Sequence, residues 1–247
     1  MILERLPWAG IRLEAGISSL LIDPLQYDHE SLFGQAREPF YPLREFGPAD
    51  AVLVTHLHSD HFDYRGIAEH FGADIPVYVP QEALDKARAV SGLTNLHGVK
   101  RHQRVTIGSF TVTATWAVDG IGDEQTAWVV EADGKRVIHS GDTLWHGYWW
   151  KIAHTFGAFD VACLPINAPV IAEAGSIASD QPIALSPEQA VMAAILLGAR
   201  QLVPIHYGAF HNPPAYVQTA DPLPRLEHSA KGRLALRILA SKEKMTI

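Results

Sequence analysis

Residues 54–63 read Val-Thr-His-Leu-His-Ser-Asp-His-Phe-Asp, which sets three histidines and two carboxylates within eight residues, directly behind the apolar run Ala51-Val52-Leu53-Val54. A continuous apolar run predicts a strand buried on both faces, so the cluster falls on a strand-to-helix loop. Imidazole nitrogen and carboxylate oxygen are ligands of borderline metal ions such as zinc. A solvated polar loop is the plain alternative, but adjacent imidazoles and carboxylates beside a buried strand need partners. The His-x-His-x-Asp-His pattern therefore predicts a metal site that draws further ligands from downstream. Two later stretches share its setting at a strand end, where sites gather in α/β folds: Ser140-Gly141-Asp142-Thr143 after Val137-Ile138, and His206-Tyr207-Gly208 after Leu202-Val203-Pro204-Ile205.

Working outward, Ile11 to Glu14 and Ser19 to Ile22 predict a hairpin stopped at Asp23-Pro24. Leu25 to Pro48, which carries Pro39, Pro42 and Pro48 with Phe33, Phe40, Tyr41 and Phe46, is too irregular for an element and too aromatic for a plain linker; it could flap over a site. Beyond the histidine cluster, a helix over 66–71, a strand over 77–79 and a helix over 81–90 continue a βαβα alternation. Runs at 105–107, 111–118, 127–131 and 136–139, with glycines at the turns, predict a second sheet. A strand over 161–165, a helix opening at Ser186-Pro187-Glu188 and a strand over 202–205 follow. One α/β domain over residues 1–247 is expected.

The 247 residues are 47% hydrophobic and 19% charged, enough to bury a sizeable core. A net charge of -7 without a basic run argues against nucleic-acid binding. No apolar run is long enough for a membrane span, so no integral membrane association is expected. The single Cys163 and an N-terminus without an export pattern point to a reducing cytoplasm. No Gly-x-Ser-x-Gly elbow, Gly-x-Gly-x-x-Gly or phosphate-binding loop of the Walker type is present, and Cys163 lies mid-strand as a small apolar residue.

THLHSDH, SGDT and PIHYG, in this order and at these spacings, resemble the metallo-β-lactamase superfamily over nearly the whole chain, from LLIDPL at 20–25 through His206. Within it, VTHLHSDHFD, HSGDT, FDVACLPIN and LSPEQAV ahead of PIHYG are most similar to the branch holding ascorbate-6-phosphate lactonase and the N-acylphosphatidylethanolamine-hydrolysing phospholipase D. The resemblance implies an α/β, four-layer αβ/βα sandwich with two metals at one edge. It further implies that His56 and His58 bind the first metal and Asp60 and His61 the second, with Asp142 bridging and His206 completing the second.

One ligand departs from that pattern. Where the family has a histidine for the first metal, this chain has Ala117-Val118-Asp119-Gly120. Three readings stand: Asp119 is a carboxylate ligand, the first site is incomplete, or His97 or His102 serves instead. An Asp119 ligand would favour manganese or iron(II) over zinc, and would make bound water less acidic by offsetting the field of the ions.

Two divalent ions, zinc foremost, held about 3.5 to 4 Å apart would activate a water and polarise the bond under attack, and Asp60 could pass a proton to the leaving group. The expected activity is metal-dependent hydrolysis of a small ester-like molecule, a lactone or a phosphodiester. The rival is a catalytically weakened member that binds metal or ligand. A homo-oligomer is compatible with either.

Other residues carry less. His139 and His211 are surface or capped histidines first and site contacts second. His29, His70, His146, His154 and His228 read as ordinary. Trp145, Tyr148, Trp149 and Trp150 read as core packing before pocket wall, and Arg65 as a solvated cation before an anion contact.

Overall fold

The chain builds one pattern twice, antiparallel strands giving way to parallel ones, in a computed structural model that describes residues 1–27, 33–172 and 178–247. The first sheet runs through β1 (Ile2–Arg5), β2 (Ile11–Ala15), β3 (Ser18–Ile22), β4 (Ala51–Leu53), β5 (Val77–Pro80) and β6 (Leu96–Val99), and is parallel from β3 onward. The second runs through β7 (Arg104–Ile107), β8 (Phe110–Trp116), β9 (Thr126–Ala132), β10 (Lys135–His139), β11 (Val161–Pro165), then β13 (Gln201–Ile205) and β15 (Ala235–Leu236), and is parallel from β10 onward. A separate ribbon pairs β12 (Val170–Ile171) with β14 (Tyr216–Val217), and β16 (Lys244–Thr246) closes the first sheet beside β1.

Alternation along the strands sorts the core into three apolar layers. Leu20, Ile22 and Leu53 meet Val130, Val137, Val161, Cys163 and Val203 between the two sheets. Leu21, Val52 and Val77 point the other way, under α1 (Tyr64–Phe71) and α2 (Leu84–Ser91). Ile138, Ala162 and Leu202 point out beneath α3 (Trp149–Phe156), α4 (Pro187–Leu196) and α5 (Pro222–Ala230). The result is the expected four-layer αβ/βα sandwich. Parallel strands covered on both faces read as unbroken apolar runs, which is why β4, β11 and β13 were visible in the sequence.

The sandwich fixes the histidine loop from several sides. Asp63 caps α1, its Oδ1 accepting from Gly66 N at 2.9 Å and its Oδ2 from Gln26 N and Tyr27 N, so this carboxylate of the opening stretch serves the backbone. Trp128 of β9, fully buried, donates Nε1 to the Val54 carbonyl at 3.1 Å across the sheet interface. The Ser186–Gln189 capping box with Pro187 in the first turn starts α4 where the sequence placed it.

The reading missed β1, β6, β12, β14, β15, β16 and α5, and offered a helix near α3 without bounds. The missed strands are short or polar, and α3 begins inside a run of aromatics whose order hides a 3.6-residue period. The aromatic cluster is also corrected: Trp149 is buried, but Trp145, Tyr148 and Trp150 are exposed. Among the described residues of 25–48, a 3-10 turn forms at Leu43–Phe46, with Leu43 and Phe46 buried; His29 lies outside the described residues.

His146, ahead of α3, stacks on Trp149 with ring centroids 4.3 Å apart, and burial holds its pKa down to about 4. An unfolded histidine titrates near 6.5, so the unfolded chain takes up this proton first, and stability falls as pH drops from 6.5 to 4 and then levels. The contribution is on the order of 3 kcal/mol. Denaturant melts at pH 7.5 and 4.5 should show a drop in unfolding free energy smaller by ~2 kcal/mol in His146→Phe than in the wild type.

Candidate metal centre

Every predicted ligand arrives from the carboxyl end of a strand running to one edge of the sandwich, as ligand sites do in open α/β sheets. His56, His58, Asp60 and His61 follow β4, Asp119 follows β8, Asp142 follows β10 and His206 follows β13. Two groups form: His56, His58, Asp119 and Asp142, and then Asp60, His61 and His206, with donor atoms inside each group within 4.8 Å of one another. Asp142 lies between them, its Oδ1 3.7 Å from His56 Nε2 and its Oδ2 4.0 Å from His206 Nε2. Asp119 Oδ2 stands 3.8 Å from His58 Nδ1, and Asp60 Oδ2 stands 3.6 Å from His61 Nε2 and 3.5 Å from His206 Nε2.

The outer nitrogen of each imidazole is held by an oxygen, which decides where its proton sits. Thr55 Oγ1 donates to Asp23 Oδ2 at 2.6 Å and is thereby left to accept from His56 Nδ1 at 3.0 Å. His58 Nε2 donates to Asp123 Oδ2 at 2.9 Å, His61 Nδ1 to Asp23 Oδ2 at 2.8 Å, and His206 Nδ1 to Asn167 Oδ1 at 2.9 Å. All four inner nitrogens then turn to one space, and those of His56 and His58 face each other at 2.8 Å. His61 Nε2, His206 Nε2 and Asp119 Oδ2 are buried with no hydrogen-bond partner among the described residues. Converging unpaired acceptors are electrostatically costly without a cation, so the donor set fits divalent ions.

Titration follows the same geometry. Burial holds His56 well below the usual histidine range, helped by repulsion from His61 and His58. Burial opposes charge on His61 as well, but Asp60 and Asp23 outweigh it and lift its pKa to about 10. Burial pushes the Asp60 carboxyl up, yet His61 and His206 hold it well below the usual carboxylate range. Asp142 is raised by burial.

His97 and His102 do not reach the site: His97 stacks on Tyr78 and His102 packs on Trp116. Asp119, not either histidine, stands with the first group. His139 is fully buried and donates Nε2 to the Ala9 carbonyl, and His211 lines an outer groove beside Arg37. Cys163 sits between the sheets, where burial pushes its thiol up. Arg65 lies in a neighbouring cavity that shares only Ser59 with the metal pocket.

Sequence reasoning missed Trp8, Asp23, Asp123, Gln125 and Asn167. Trp8 donates Nε1 to Asp60 Oδ2 at 2.9 Å, and Gln125 donates Nε2 to Asp142 Oδ1 at 2.9 Å. Asp23, a carboxylate closing the apolar LLIDP stretch, and Asn167, at the end of FDVACLPIN, lay in stretches already quoted. Gly141, with φ of +65°, passes so close to Gln125 and Thr55 that a Cβ would lie 2.4 Å from Gln125 Nε2, which explains glycine in SGDT. Above the donors opens a cavity of about 190 Å³ walled by Phe33, Ile121, Ile171, Ile183 and Tyr216.

Residues 19–207 match the family model of the beta-lactamase superfamily domain. The chain belongs to the metallo-β-lactamase superfamily. A UPF0173 metal-dependent hydrolase of Rubrobacter xylanophilus is 34% identical over 209 residues, 79% of this chain and 76% of that protein. A UPF0173 metal-dependent hydrolase of Thermococcus kodakarensis is 30% identical over 220 residues, 85% of each. Among solved structures, the metallo hydrolase Igni18 of Ignicoccus hospitalis superposes with a TM-score of 0.72 at 21% identity, covering 99% of this chain and 97% of that one. This superfamily member thus shares its fold with a metallo hydrolase and its sequence with metal-dependent hydrolases.

Removing the oxygen that orients a donor should weaken metal binding without removing a donor. Asn167→Ala should lower the affinity for zinc by about 10- to 100-fold, read by competition with a chromophoric chelator. An unchanged affinity would mean that the Asn167 contact does not orient His206.

Proposed function

We propose that this metal-dependent hydrolase of the metallo-β-lactamase fold works with two divalent ions, zinc foremost and manganese or iron(II) as substitutes. His56, His58 and Asp119 would hold the first, Asp60, His61 and His206 the second, and Asp142 both. The observation that carries the reading is the set of four imidazoles whose outer nitrogens are tied back and whose inner nitrogens converge on buried carboxylates. Such a pair, when bound, supplies a water acidic enough to attack near neutral pH and a Lewis acid for the substrate oxygen.

The chain supplies the rest. Asp60 lines the pocket and takes the Trp8 indole N–H, which fixes its carboxylate beside the reacting space and places it to pass a proton to the leaving group. Gln125 steadies Asp142, and the apolar walls exclude bulk water, which strengthens every charge interaction inside. The substrate is a small molecule with an ester-like bond, a lactone or a phosphodiester.

Elemental analysis tests the ion count, with two metals per chain expected in the wild type and one in Asp119→Ala. Turnover of ester and phosphodiester probes should fall at least ~1000-fold in Asp142→Ala. One metal in both proteins and no turnover sensitive to Asp142 would favour a protein that binds metal or ligand without catalysing.

A further inference from the structure

We infer that the pocket takes an uncharged carbonyl substrate, a carboxylic ester or lactone with a short apolar substituent, in preference to a phosphate ester; this rests on the hydrolytic reading above. The reaction is then addition of a water oxygen to the carbonyl carbon and cleavage of the bond from that carbon to the alcohol oxygen. One proton of the water ends on the departing oxygen.

Charge is the first argument. No lysine or arginine lines the pocket among the described residues, and residues 28–32 and 173–177 contain none in sequence. Lys86 is held 3.6 Å from Asp123, and the Arg65 guanidinium lies over the Tyr64 ring, 5.8 Å from its centroid, in the neighbouring cavity. A phosphate ester is recognised through such cations. Here three carboxylates, Asp60, Asp119 and Asp142, already offset the charge that two divalent ions would bring.

The wall is the second argument. Ile121, 58% exposed, carries the apolar wall of Phe33, Ile171, Ile183 and Tyr216 out to the mouth of the pocket, where a short apolar substituent would cover it. Its position is built. Asp119 offers Oδ2 to the metal space and uses Oδ1 to accept from Ile121 N at 2.8 Å and Asp123 N at 3.0 Å, so one carboxylate serves the metal centre and the substrate wall. Gly120 then passes so close to the opposite wall that a Cβ would lie 2.2 Å from the Ile183 carbonyl oxygen. The loop is thereby pressed onto Ile183, which faces the same space.

Size is the third. About 190 Å³ is well below the roughly 300 to 1,000 Å³ of pockets that enclose drug-sized ligands, so the substituent is short.

The test is a titration of the cobalt-loaded protein, followed in the visible absorption bands of the metal, with acetohydroxamate, butyrohydroxamate and phenyl phosphate. Butyrohydroxamate should bind about tenfold tighter than acetohydroxamate, and phenyl phosphate at least about tenfold weaker than butyrohydroxamate despite its larger apolar group. In the zinc-loaded enzyme, kcat/KM for p-nitrophenyl butyrate should exceed that for the acetate by about 3- to 10-fold, and Ile121→Asn should collapse that gain. Phenyl phosphate binding tighter than butyrohydroxamate, or a chain-length gain that survives in Ile121→Asn, overturns the inference. Absence of turnover on every probe while the titration keeps its order sinks the hydrolytic reading instead, and leaves the apolar, uncharged selectivity of the pocket standing.

Discussion

A single carboxylate, paired among the described residues with His61 and no lysine or arginine, ties the candidate centre together. Asp23, fully buried where β3 ends and with φ of +46°, accepts from Thr55 N at 2.8 Å, Thr55 Oγ1 at 2.6 Å and His61 Nδ1 at 2.8 Å. A carboxylate taken out of water costs several kcal/mol unless such bonds replace its hydration, so the loop after β4 is drawn onto the end of β3. The same bonds set the proton positions on two rings, His61 directly and His56 through Thr55. The histidine loop could serve as a ligand set because Asp23 fixes which nitrogen of the His61 ring faces inward, and, through Thr55, which of the His56 ring.

The remaining donors repeat this device with weaker acceptors. An amide oxygen orients His206, and a partly exposed carboxylate orients His58, which is itself the most exposed imidazole of the four. The loop 119–123 links this layer to the pocket wall, since Asp119 anchors Ile121 and Asp123 while Asp123 anchors His58. The candidate donors and the pocket wall are therefore parts of one hydrogen-bonded turn.

The β4 loop, Asp142 and His206 were legible because they follow apolar runs that only a buried parallel strand produces, and because several ligand types in a short window are hard to explain otherwise. Asp119 was legible only as a departure from the family resemblance. Its carboxylate shares no run with other ligands, and its role depends on β8 leading to the same edge as β4 and β10. Trp8 and Gln125 left no trace, and Asn167 was quoted only as the end of FDVACLPIN, since each touches the site through a contact distant in sequence that no local period encodes. The aromatic run at 145–150 misled because hydrophobicity alone does not say which of several neighbouring rings a short helix will bury.

The turn between β1 and β2 places Trp8, with φ of +58°, against His206, ring centroids 4.0 Å apart, while the Trp8 carbonyl accepts the His206 N–H. A residue of the first hairpin thus buttresses a candidate donor at the end of the second sheet. Neither sheet alone can present the full set of donors. Ions bound there would select the fully docked sandwich over any half-formed one, and at a free concentration 1,000-fold above Kd they would deepen its free-energy well by about 4 kcal/mol. Losing the ions would cost the docked sandwich that increment, while the apolar layer between the sheets would still join its two halves.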